Sequence, residues 1–206
     1  MRLLGRLSSI NVRKVAWTLD EIELPYSREE WGMGFKPTSS PEFLALNPNG
    51  LVPVIEDENG ILWGSNPICR YLAAKAGRND LLPADPAGRA RVEQWMDWQA
   101  TELNNSWSYA FLALVRENPA CQDPAEIEKS LAAWDRMMTL LDDHLAQTGP
   151  YVCGEQFTLA DIVIGLSVHR WRMTPHAMPD LGSVLDYYER LCDRAGFLEH
   201  GPNGYP

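Results

Sequence analysis

Cysteine is scarce and widely spaced: Cys69, Cys121, Cys153 and Cys192 form no C-x-x-C pair and have no clustered histidine beside them. That excludes a disulfide framework and structural zinc, and makes reduced, mostly buried thiols the expectation. His144, His169, His176 and His200 stand isolated along the chain, so no metal site is expected. Long apolar runs are missing too. Charged or strongly polar residues interrupt every window of about 18 residues, leaving no transmembrane helix. The opening Met1–Ile10, with Arg2 and Arg6 straddling a short apolar stretch, does not read as a secretory signal. These absences point to the cytoplasm. The third deficit is positive charge: 18 Lys plus Arg against 28 Asp plus Glu leave a net charge of −10, a field that repels nucleic acid and anionic membranes. Nine of the basic and ten of the acidic residues fall within residues 1–80, so nearly all the excess acid lies beyond them. A small anion meets less repulsion in the first part, although a solvated acidic face on a helical domain explains the same asymmetry.

What is present is an ordinary globular composition, 206 residues with 45% hydrophobic and 10% aromatic, enough for one large domain or two small ones. Residues 2–7 read as a short strand, and Val12, Val15, Ala16, Leu19 and Ile22 recur at helical spacing after Asn11. Pro25 stops that helix and Tyr26–Trp31 alternates as a second strand, a βαβ unit. Gly32–Ser40 is a loop, and Ser40-Pro41 opens a short helix with a polar cap and Pro at its first position. Val52–Glu56 and Ile61–Trp63 are strands joined through Asp57-Glu58-Asn59-Gly60, and Ser65-Asn66-Pro67 opens a helix to about Ala76. The order is β-α-β-α-β-β-α over residues 1–78. The chain turns polar and is punctuated by Gly and Pro from Gly77 to Asp85, giving a linker at 79–85, and residues 86–206 read as an all-helical domain. Asp85-Pro86 and Asp123-Pro124 are helix starts, the second with Glu126 at the N3 position of a capping box; Thr158 and Asp161 form the related pattern and are assigned to structure.

That order is thioredoxin-like. In such a fold the first strand-helix turn lies near an X-Pro bond at the start of the third strand, here Val52-Pro53, whose cis form presents the Val52 backbone as an open edge for a peptide. The turn reads Ser9-Ile10-Asn11-Val12, so a dithiol mechanism is excluded there. Ser9 is left either to cap the helix or to hold a bound thiolate. Lowering a thiol pKa by roughly two units from about 8.5 requires about 2.7 kcal/mol. One hydrogen bond to a charged group, about 1.5–3 kcal/mol, plus a helix dipole, about 0.3–1 kcal/mol, matches that sum.

The motifs Ser9-x-Asn11-Val12-Arg13-Lys14-Val15, Asn47-Pro48-Asn49-Gly50-Leu51-Val52-Pro53-Val54, Ser65-Asn66-Pro67-Ile68-Cys69-Arg70-Tyr71-Leu72 and Phe157-Thr158-Leu159-Ala160-Asp161-Ile162 occur in that order. With them the chain resembles a cytosolic glutathione S-transferase of the serine type over essentially its whole length. The resemblance implies an N-terminal glutathione site, a helical domain lining an electrophile pocket, and a homodimer. It makes Ser9 the thiolate-stabilising residue, with Asn11 an alternative as in glutathione-dependent disulfide reductases that use no protein cysteine. It puts Val52 and Pro53 against the cysteinyl part of glutathione and Ser65 on the γ-glutamyl carboxylate, where free helix N–H groups favour an anion. Lys36 is a candidate for the glycine carboxylate, against the alternative of a solvated lysine. Trp107, Tyr109 and Phe111 are candidates for the electrophile wall, although aromatics beside the stripe Val92, Trp95, Met96, Gln99 and Leu103 also suit plain packing. Two positions depart from the family. Gly64 stands where many members have Glu or Gln for the γ-glutamyl ammonium, a loss of about tenfold to a hundredfold in affinity, and Leu51 stands where Lys or Gln is common. The implied activity is conjugation of the glutathione thiolate to a small apolar electrophile, with glutathione as co-substrate and no metal. The alternatives are a glutathione-dependent disulfide reductase and a non-catalytic binding or assembly module of the same fold.

Overall fold

The computed structural model describes residues 1–206. The chain runs β1 (Arg2–Leu4), α1 (Ile10–Glu21), β2 (Ser27–Glu29), α2 (Pro41–Leu44), β3 (Val54–Asp57), β4 (Gly60–Trp63) and α3 (Ser65–Lys75). Helices alone follow: α4 (Pro86–Trp98), α5 (Asn104–Leu114), α6 (Pro124–Thr148), α7 (Leu159–Met173), α8 (Gly182–Cys192) and α9 (Ala195–His200). The βαβαββα order and the all-helical second domain are those the sequence predicts. The sheet order is β2-β1-β3-β4, with β1 parallel to β2 and the other pairings antiparallel.

The sheet is covered on both faces, which its apolar pattern dictates. Leu3 and Leu4, successive residues of β1, are both buried on opposite sides. Leu3 pairs with Ile55 and enters the main core; Leu4 pairs with Val54 and enters a small cluster with Trp31 and Phe43.

Helix starts follow cap chemistry. Ser40 Oγ accepts from the Phe43 N–H at 3.3 Å and Asp85 Oδ1 from the Gly88 N–H at 2.7 Å. At α6 the predicted capping box is half made. Asp123 accepts from the Ala125 N–H at 2.9 Å, but Glu126 turns to Lys129 at 3.2 Å, an i,i+3 ion pair that replaces the return bond. At α7 the box is complete. Asp161 also accepts from the Val152 N–H at 2.9 Å and the Tyr187 hydroxyl at 3.2 Å, tying α7 to the preceding loop and to α8.

Between α4 and α5 the helix continues through a π-helical turn, Gln99–Leu103. Its first residue, Gln99, is fully buried; it accepts from Lys14 Nζ at 2.6 Å and donates to Asn104 Oδ1 and Ser167 Oγ at 3.0 Å each. The helical domain is locked to α1 by aromatic packing. Trp17 meets Phe157 and Phe197 at ring-centroid distances of 5.6 and 5.3 Å. Only a glycine fits at 196, where an added Cβ would lie 2.4 Å from the Trp17 ring. No helix is long and apolar enough to cross a membrane.

Candidate functional site

Two clefts meet at the first turn of α1. The smaller, about 310 Å³, has Asn11, Val52, Pro53, Gly64, Ser65 and Trp63 among its lining residues. The larger, about 600 Å³, lies between the domains, with Ser9, Asn11, Trp107 and Phe111 on its walls. Both fall in the size range of small-molecule sites. Asn11 is the one residue that lines both.

In the smaller cleft the Val52-Pro53 peptide is cis. Buried Asn47 shapes the loop before it, donating to the Leu51 carbonyl at 2.7 Å and accepting from the Asn49 N–H at 3.0 Å. Leu51 lies open at the cleft edge, 65% exposed. The first turn of α3 closes the other side. Its N-cap, Gly64, has φ +87° and no side chain to cap the helix, so first-turn N–H groups face the cleft without a side-chain partner.

Asn11 is held from that same turn. Ser65 Oγ donates to Asn11 Oδ1 at 3.2 Å, leaving the Asn11 Nδ2 hydrogens for a ligand. Ser9 begins α1, yet its hydroxyl makes no capping bond; the Ser9 carbonyl alone accepts, from the Val12 and Arg13 N–H groups at 3.1 Å each. Two side-chain donors, Ser9 Oγ and Asn11 Nδ2, therefore lie uncommitted at the positive end of α1.

In the larger cleft Trp107 and Phe111 pack edge to face at 5.3 Å, four residues apart on one face of α5. Tyr109 does not join them. Two residues along a helix turn the side chain to the far face, where its hydroxyl accepts from the Asp123 N–H at 3.3 Å. Lys36 also lies outside both linings. Its ammonium sits 4.9 Å from the Trp31 ring centre and 3.5 Å from Glu29, partners at the end of β2 and just beyond it. The aromatic reading of the pocket overlooked its cations. Arg6, Arg116 and Arg170 line the same cleft. Arg170 stacks over Phe111 and Trp107, 4.1 and 4.6 Å from their centres. Burial holds its guanidinium well below the usual range, with repulsion from Arg13 and Arg116 adding to the effect. The available signal was an arginine pair inside the otherwise apolar helix that follows Thr158.

A thioredoxin-like domain and a helical domain sharing one divided site define a class of two-domain proteins. Comparison with known proteins makes the class specific. Residues 8–75 match the family description "Glutathione S-transferase, N-terminal domain" and residues 124–190 "Glutathione S-transferase, C-terminal domain". Glutathione S-transferase GstB of Escherichia coli K12 is 38% identical over 194 residues, 93% of each chain. A solved theta-class glutathione S-transferase from Xanthomonas axonopodis pv. citri, with glutathione bound, superimposes with a TM-score of 0.91 at 35% identity, covering 98% of this chain and 96% of that one. A probable elongation factor 1-gamma 2 from Arabidopsis thaliana is 38% identical over 60% of this chain but 29% of its own length. The chain belongs to the glutathione S-transferase family.

Proposed function

We propose that the protein is a glutathione-dependent transferase that holds the glutathione thiolate at Asn11 and Ser9. The observation that carries this is the position of Asn11, which lines both clefts while Ser65 holds its Oδ1 and its Nδ2 stays without a partner. Glutathione occupies the smaller cleft, its cysteinyl backbone on Val52 and its γ-glutamyl carboxylate on the Ser65 N–H and the other first-turn N–H groups of α3, the Ser65 hydroxyl being donated to Asn11. Asn11 and Ser9 donate to the sulfur, and the N-terminal end of α1 favours its negative charge. The thiolate then attacks an electrophile resting on Trp107 and Phe111. The division into residues 1–78, 79–85 and 86–206 belongs to this reading. So do a cytoplasmic setting, supported by four free cysteines, and a homodimer, supported by an exposed apolar edge strand.

Calorimetric titration with glutathione and the pH profile of bound-thiolate absorbance test the reading. Asn11→Ala should raise the bound thiol pKa by about one to two units, the worth of one hydrogen bond to a charged sulfur. Ser9→Ala should raise it too, and the double variant further. Glutathione bound with an unaltered thiol pKa in both variants removes these residues from the mechanism. Turnover of a glutathione mixed disulfide in place of an aromatic halide would make the protein a reductase, a reading that Asn11 favours. Absence of glutathione binding would favour the non-catalytic module, to which Gly64 and the elongation-factor relatives point.

A further inference from the structure

The cations of the larger cleft are unusual for what they lack. This chain has a net charge of −10, and its structure contains many surface ion pairs, yet Arg6, Arg13, Lys14, Arg116 and Arg170 belong to none of them. Three of the five, Arg6, Arg116 and Arg170, line the cleft, and Arg13 stands behind it; Glu117, on the exposed rim, is the one carboxylate of the lining. Arg170 is 3% exposed, and its Nε has no hydrogen-bond partner; Arg6 Nε is likewise buried and unpartnered. One nitrogen of Arg6 donates to the Ser8 hydroxyl and one of Arg116 to the Ser8 carbonyl, so both guanidinium groups are drawn to the loop that carries Ser9. Arg170 also donates to the Pro206 oxygen at 3.3 Å, which leaves part of its fork engaged and the Nε free. The Phe111 ring centre lies 4.1 Å from the Arg170 guanidinium and 5.4 Å from that of Arg116, so the aromatic wall and the cations are contiguous.

Guanidinium groups buried with no Asp or Glu carboxylate in contact are costly, Glu30 attracting Arg6 only from a longer range, and the group that offsets the cost is a planar anion able to take two parallel N–H bonds. A neutral apolar substrate would leave that cost standing. We propose that the electrophile taken by this cleft carries a carboxylate, which docks on Arg170, Arg116 and Arg6 while its apolar body rests against the wall that Phe111 and Trp107 present to the cleft. The inference rests on the transferase reading and refines its substrate class. In a cleft on a molecule of net charge −10, the same cations favour an anionic substrate over a neutral one.

With a benzylic halide the step balances simply. The thiol proton has already left to solvent; the sulfur–carbon bond forms as the carbon–bromine bond breaks, bromide departs with the bonding pair, and the carboxylate is unchanged.

The test uses matched probes on the glutathione-saturated protein. Calorimetry compares 4-methylbenzoate with 4-methylbenzamide, which differ in charge but hardly in shape, and initial rates compare 4-(bromomethyl)benzoate with 4-(bromomethyl)benzamide after subtraction of the uncatalysed reaction. The benzoate should bind at least about tenfold tighter and show a matching advantage in kcat/KM, as expected for a charged group in a paired site. Arg116→Gln should bring both ratios close to one. Arg170→Met should do the same, and because that residue is buried its melting curve is taken alongside; Arg116→Gln, on a half-buried residue, keeps the test valid if Arg170→Met does not fold. Glutathione bound with the two probes held equally overturns the anion inference and leaves the transferase reading standing. Failure of glutathione itself to bind overturns both.

Discussion

Lys14 shows what a single buried charge does to the molecule. It is 1% exposed, its ammonium is satisfied by Gln99 rather than by a carboxylate, and burial pushes its pKa down to about 7. The unfolded chain keeps that proton up to about pH 10.4, so between the two values it binds more protons than the folded protein. The penalty is therefore fully present below about pH 7, and stability rises as the pH climbs above it. Lys14→Met should flatten this rise. Circular-dichroism melts of both proteins at about pH 6 and about pH 9 check it, since any constant cost of the substitution cancels in the difference; an unchanged slope would mean the ammonium is not what titrates. At this scale the proposed thiolate partners Ser9 and Asn11 stand out in the sequence because polar side chains at a strand-helix turn have few duties. Gly64 was legible only in part. It reads as a missing carboxylate, but its φ of +87° is a backbone state that L side chains avoid, so a glutamate there adds strain of about 1–3 kcal/mol against any bond it makes to the ligand. Composition carries no trace of a dihedral.

At the scale of elements, order and caps follow from spacing, and the misplacements follow from angle. Trp107 and Phe111 share a face of α5 because they are four apart, whereas Tyr109 is turned away by the same periodicity. The π-helical turn Gln99–Leu103 left no sequence signal, since its stripe of buried residues suits an uninterrupted helix equally well. The strongest element junction is Asp161, which burial pushes up to about 6 although four donors favour its ionised form. Asp161→Ala leaves the Val152 and Thr158 N–H groups buried and unpaired, and should lower stability by roughly 3 kcal/mol in urea unfolding at constant m. A loss under about 1 kcal/mol would contradict the central role given to this carboxylate.

For the whole molecule, the two-domain plan was legible because the stretch from Gly77 to Asp85, with Gly77 and Pro83 in it, separates two kinds of periodicity. Association was not, since periodicity does not separate a core stripe from an interface stripe. The structure leaves β4 at the sheet edge with Ile61, Leu62 and Trp63 at 41, 36 and 47% exposure, a strand that calls for cover. Sedimentation equilibrium should give twice the 23.2 kDa chain mass, and the Ile61→Glu, Leu62→Glu double variant should give the single chain; a wild-type monomer would refute the homodimer. The clamp on α1 bears on biosynthesis. Trp17 and Arg13 lie near the start of the chain, but the groups that cover them are Phe157, Phe197, Gly196 and the carbonyls of His200 and Gly201. At a translation speed of about 5–20 residues per second, the emerging first domain waits on the order of 10 to 40 s for its cover. During that interval a tryptophan-bearing face stands open on the ribosome, available to chaperones or to a neighbouring nascent chain.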